Sequence, residues 1–84
     1  MTITLDARRM GREQVHSYLT KMLSLPDYYG CNLDALYDCL TELPETHLVL
    51  THWYEADEGF SDVYRVLLAA QRSNPSLRIE LEEL

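Results

Sequence analysis

Between Lys21 and Arg65 this 84-residue chain contains neither lysine nor arginine. The same interval holds Asp27, Asp34, Asp38, Glu42, Glu45, Glu55, Asp57, Glu58 and Asp62. A stretch charged this way repels nucleic-acid phosphates and anionic lipid, so neither is an expected partner. It favours encounter with a basic protein. The whole chain has the same bias, with 7 basic against 14 acidic residues and a formal net charge of −7. The plain alternative is that acidity serves solubility alone.

Other features are scarce as well. No run approaches the roughly 20 apolar residues that cross a bilayer. Residues 1–6, Met-Thr-Ile-Thr-Leu-Asp, have neither the basic start nor the apolar stretch of a secretory signal, so the expected location is the cytoplasm. There are two cysteines, Cys31 and Cys39. Read as the start and middle of one helix, they lie about 12 Å apart at about 1.5 Å per residue. That exceeds the ~7 Å between Cα atoms that a disulfide spans. Two thiols without further ligands make no zinc site, and His16, His47 and His52 are scattered. No glycine-rich phosphate loop, Ser-His-Asp order or convergent metal-ligand set is present, so no cofactor, metal or catalytic residue is expected. A chain of this length buries about 60–65% of its unfolded surface, which leaves little room for a deep substrate cavity. A binding module is expected, not an enzyme. With no linker, repeat or low-complexity segment, residues 1–84 read as a single domain.

What is present falls into a regular order. Residues 2–6 alternate polar and apolar, the period of a half-buried strand. A helix is expected to open at Gly11–Arg12 with the stripe Val15, Tyr18, Leu19, Met22 and Leu23, and to end at Pro26. Tyr28-Tyr29-Gly30 reads as a turn in which Gly30 supplies a positive φ angle. Asn32 is a good N-cap for a second helix, with Leu33, Leu36, Leu40 and Leu43 inward and Pro44 closing it. Leu48-Val49-Leu50 reads as a central strand covered on both faces. Residues 54–60 read as an acidic loop. Ser61 is expected to cap a third helix carrying Val63, Val66, Leu67 and Ala70 on one face, which stops at Asn74-Pro75. Leu77, Ile79 and Leu81 alternate with charged residues in a last strand. Helices between the strands demand crossovers, so the fold class is α/β, with a three-stranded parallel sheet packed by helices.

The second helix carries the strongest functional signal. Asp34, Asp38 and Glu42, spaced i, i+4 and i+8, stand in a row on one face. Like charges at this spacing each destabilise a helix by a few tenths of a kcal/mol. Asp34 regains something from the helix dipole in the first turn; the other two do not, and a binding role explains their presence. The bland reading is a solvated acidic face. Tyr28, Tyr29 and Tyr37 shift the balance, because tyrosines beside a charged cluster are the usual makings of an interface hot spot. One of Tyr28 and Tyr29 is expected to serve the core in part. Catalysis by Asp34 and Asp38 would need two environments that separate their pKa values, and one exposed face offers a single environment.

Residues 25–41, Leu-Pro-Asp-Tyr-Tyr-Gly-Cys-Asn-Leu-Asp-Ala-Leu-Tyr-Asp-Cys-Leu-Thr, resemble the signature of the barstar family. These are intracellular inhibitors of barnase-type microbial ribonucleases. The element order and length of the whole chain are also similar to that family, as is the apolar strand followed by Trp53. The resemblance implies a barstar-like fold and a small basic, extracellular-type ribonuclease as partner, its active site plugged by the acidic helix and the preceding turn. It further implies that Asp38 stands where a substrate phosphate binds, that Asp34 pairs with another basic group, and that Tyr28 packs on the catalytic histidine. Gly30 and Asn32 would line the contact, Thr41 and Glu42 would flank it, and Tyr29 and Tyr37 would belong to the same surface. A monomer is the default for such a chain. Three departures stand out. Tyr37 replaces a tryptophan. The last long helix lacks a contacting acid around Leu68, Ala69 and Ala70. His52 shifts Trp53 by one place. The rival readings are an interaction module of the same fold that binds another basic protein, and a small hydrolase for which no reactive pair is visible.

Overall fold

The computed structural model of the chain describes residues 1–83. Three strands, β1 (Thr2–Asp6), β2 (Thr46–Thr51) and β3 (Leu77–Leu81), form one parallel sheet in the order β1-β2-β3. The helices are α1 (Val15–Leu23), α2 (Leu33–Thr41) and α3 (Gly59–Ser73), with short 3₁₀ turns at Ala7–Arg9 and Trp53–Glu55. The α/β class with a three-stranded parallel sheet is as the sequence pattern implies.

Register explains which side of the sheet is dry. Ile3, Leu48 and Ile79 are aligned across the three strands, as are Leu5, Leu50 and Leu81. Leu5, Leu48, Leu50 and Leu77 are buried on this face. The core cluster joins them to Val15, Leu19 and Leu23 of α1, Leu36 and Leu40 of α2, and Phe60, Val63, Leu67 and Ala70 of α3. A fully buried leucine contributes about 1.5–3 kcal/mol relative to exposure. The opposite face differs from the expectation of a strand covered on both sides. Thr4, Val49 and Glu80 are aligned there, with Thr2, His47 and Arg78 one register away, and Thr2, Thr4, Arg78 and Glu80 are exposed. Polar residues on both flanking strands leave nothing for a second helical layer to bury.

Four boundaries depart from the sequence reading for local reasons. First, α1 begins at Val15, not at Gly11–Arg12; Arg12, Glu13 and Gln14 are exposed and form a turn whose Gly11 carbonyl accepts from the amides of Gln14 and Val15. Second, α1 is closed by Ser24 in the left-handed region (φ 53), its amide donating to Thr20 O; Pro26 follows two residues later, a common position after such a cap. Third, Gly30 has no positive φ. Cys31 takes it instead (φ 52), and so lies outside α2. What Gly30 provides is closeness: a Cβ there would meet Asn32 Nδ2 at 3.3 Å and the Ala35 Cβ at 3.4 Å. Fourth, α3 begins at Gly59 and not after Ser61. The Gly59 amide donates to Asp57 Oδ1 (2.9 Å), and a Cβ at Gly59 would fall 2.6 Å from the Arg12 amide nitrogen.

Candidate functional site

Helix α2 starts where Asn32 lets it start. Its Oδ1 accepts from the Ala35 amide (2.8 Å) and its Nδ2 donates to Gly30 O (3.2 Å). One side chain thus caps the helix and fastens the preceding loop to it. Leu36 and Leu40 are fully buried on the inner side. That fixes the rotation of the helix and turns Asp34, Asp38 and Glu42 outward, where all three are exposed. Among the described residues none of the three is in an ion pair. Thr41 is half-buried, its hydroxyl donating to the Asp38 carbonyl (2.8 Å).

The acidic end of α2 needs an anchor, because Glu42 at the C-cap opposes the helix dipole. Asn74, buried just beyond α3, supplies it. Its Nδ2 donates to Leu40 O (3.0 Å) and Leu43 O (3.1 Å), and its Oδ1 accepts from the Ser76 amide (3.0 Å). The sequence shows Asn74 only as a helix stop before Pro75; the carbonyls it donates to are more than thirty positions away, and no local pattern marks them.

The two tyrosines of the loop part company. Tyr28 is 84% exposed, next to a shallow groove lined by Leu25, Pro26, Cys39 and Glu42. Tyr29 is buried in the core cluster and its hydroxyl is hydrogen-bonded to His16 Nδ1 (2.5 Å). The ring of Tyr29 is therefore withdrawn from the surface on which Tyr28, Gly30, Asn32, Asp34, Asp38 and Glu42 are exposed. Burial pushes the Tyr29 phenol up to about 12, with the two cysteines adding to the effect. Burial also lowers His16. His16 had no sequence signal beyond its presence on α1, so its partnership with the loop was not legible. Cys39, half-buried under the acidic row, has its thiol pushed up first by burial and then by Glu42 and Asp38. Tyr37 is half-buried, and its hydroxyl is 2.7 Å from Ser73 Oγ at the end of α3.

The long acidic interval does not make one continuous face. Asp62 reaches toward Arg12 (4.0 Å) and Arg65 (3.8 Å). Asp57 lies against Gly11. Arg8 is raised first by its hydrogen bond to Asp6 and also by Glu55. The acids after β2 thus share their end of the molecule with Arg8, Arg12 and Arg65, and the acids beside the exposed tyrosine that are in no ion pair among the described residues are Asp27 and those of the α2 row. Among the described residues no three His, Cys, Asp or Glu side chains gather to hold a metal, and no helix is long and apolar enough to cross a membrane.

The outward chemistry of this surface is therefore a capped acidic helix next to a projecting tyrosine. The sequence matches the family described as Barstar (barnase inhibitor) over residues 1–82. It is also 43% identical over 86 residues to YrdF of Bacillus subtilis (strain 168), by name a candidate ribonuclease inhibitor, covering 95% of this chain and 92% of that protein. The chain belongs to the barstar family, whose members are inhibitors of ribonucleases and not enzymes.

Proposed function

We propose that this protein inhibits a small basic ribonuclease of the barnase type by seating α2 and the loop at Tyr28–Asn32 in its active site. The observation that carries this reading is the row Asp34, Asp38 and Glu42, exposed and in no ion pair among the described residues, on a capped helix beside exposed Tyr28. A ribonuclease active site uses arginine, lysine and histidine to hold phosphate. A carboxylate offers two coplanar acceptor oxygens to such groups and suits a bidentate arginine. Asp38, central in the row, takes the phosphate position; Asp34 takes a second basic group. Tyr28 lies on the catalytic histidine. Gly30 and Asn32 line the contact, with Thr41 and Glu42 at its border. Tyr29 acts from beneath, holding the loop through His16. Close charge pairs of the barnase–barstar interface couple by about 1.5–7 kcal/mol, so a few such contacts suffice for tight binding. The chain works in this reading as a cytoplasmic, monomeric single domain, an antitoxin for a secreted-type nuclease. Acting by occlusion, it needs no cofactor.

The test is titration calorimetry against a catalytically disabled barnase-type ribonuclease, preferably one encoded beside this gene. Tight one-to-one binding that weakens strongly in Asp38→Ala is the expected result. No binding to that enzyme or to a panel of its relatives would overturn the reading and leave a barstar-fold module for another basic protein.

A further inference from the structure

The border between α2 and α3 carries a contact that the inhibitory reading does not use. Tyr37 precedes Asp38, follows Asp34 by three positions and precedes Thr41 by four, so its ring flanks the acidic row. Its hydroxyl meets Ser73 Oγ at 2.7 Å. Ala69 lies one turn before Ser73 on the same side of α3. The acid within α3, Asp62, lies near the helix's other end with Arg12 and Arg65. At this border α3 therefore offers a hydroxyl and a methyl, with no carboxylate.

Resting on the reading above, we propose that Ser73 is a positioning residue for the inhibitory face. Its hydroxyl fixes the Tyr37 ring as a wall beside Asp38, against which the guanidinium bound by Asp38 lies. A tyrosine held only by its Cβ has alternative staggered rotamers open to it. A tether to the neighbouring helix selects one of them before the partner arrives, so less freedom is lost on binding. The ring face so presented attracts a cation, most strongly where water is excluded. This specifies the partner group at the Asp38 position: an arginine, whose planar guanidinium can lie on the ring while Asp38 accepts from it.

The test measures dissociation constants and dissociation rates against inactive barnase for the unaltered protein and for Asp38→Ala, Ser73→Ala, Ser73→Thr, Tyr37→Phe and the Tyr37→Phe/Ser73→Ala pair. Loss of one hydrogen bond corresponds to roughly a twofold to tenfold change. Ser73→Ala and Tyr37→Phe are each expected to weaken binding by about that factor, mainly through faster dissociation, with the pair no weaker than either single variant. Ser73→Thr, which keeps the hydroxyl, is expected to retain the original affinity. A purely structural Ser73 would lower the urea midpoint yet leave the affinity of the folded protein unchanged. That outcome, or additive losses in the pair, overturns the proposal while Asp38→Ala still loses affinity. Unchanged binding in Asp38→Ala, or no binding by the unaltered protein, overturns the site reading and this proposal with it.

Discussion

Asp38 joins two properties: its carboxylate has no hydrogen-bond or ion-pair partner among the described residues, and it sits on a helix held by two asparagine side chains. Its replacement by alanine should hardly disturb folding, since an exposed helical position is worth within about 0.5 kcal/mol. Binding should suffer by several kcal/mol, in the range of about 4–8 reached by the strongest interface residues. Matched urea titrations and calorimetry separate the two effects. Tyr29 behaves in the opposite way. Its phenol ionises near 10 when unfolded and near 12 in place. The folded state therefore holds the proton more tightly. The stabilisation is complete below pH 10 and disappears as the pH rises from 10 to 12. Urea midpoints at pH 8 and 11 should fall more for the unaltered protein than for Tyr29→Phe, which has no such proton; equal falls would sink the assignment. For His16 the sign is reversed. Its lowered value means that the unfolded chain takes up the proton first, so its contribution falls as pH drops below 6.5. At this scale the sequence was informative about type and spacing, as with the acids at i, i+4 and i+8. It was silent on which of two adjacent tyrosines turns inward, because that depends on a histidine thirteen residues earlier.

The elements owe their ends to side chains more than to their own propensity. α2 has nine residues, too few to persist alone in water. Asn32 begins it, and Asn74 satisfies two carbonyls at its far end. Asn74→Ala should leave Leu40 O and Leu43 O without these donors, at a cost of about 1–3 kcal/mol. Hydrogen exchange should show the loss concentrated at the C-terminal turn of α2, and uniform loss across the chain would argue against a local anchor. Gly59→Ala should also destabilise the fold, because its methyl group would collide with the Arg12 backbone, which has no flexible side chain to yield there. Calorimetric melting of this variant provides the check. The cores of all three helices were legible from the 3.6-residue stripe, since Val15, Leu19, Leu36, Leu40, Val63, Leu67 and Ala70 are buried. The starts of α1 and α3 were not. Both are set by the close approach of the segments at Gly11–Arg12 and Asp57–Gly59, far apart in sequence.

For the whole molecule, charge is distributed unevenly in a way the linear sequence only half reveals. The acids at Glu55–Asp62 lie among Arg8, Arg12 and Arg65, so long-range attraction should come chiefly from the α2 row together with Asp27. Association with a basic ribonuclease should slow steeply as salt rises past about 0.1 M, where screening acts within ~10 Å. Neutralising Asp34 and Glu42 together should flatten that dependence more than neutralising Asp57 and Glu58; stopped-flow rates across a salt series decide it. The parallel sheet was legible from the alternation of strands and helices, whereas its open side was not, because the run at Leu48–Leu50 looks apolar on both faces until its flanking strands are placed. Finally, α2 has two sides with separate duties: Leu36 and Leu40 close the core from one side of the helix, and Asp34 and Asp38 are exposed on the other, where the proposed target would bind. Whatever grips the outer side also clamps the inner one. A target present at a hundredfold excess over its dissociation constant adds about 2.7 kcal/mol to folding, comparable with the loss from truncating a buried leucine. If the proposed nuclease is that target, core variants too weak to survive proteolysis alone would persist in cells that make it, so the nuclease would shelter the mutational drift of its own inhibitor.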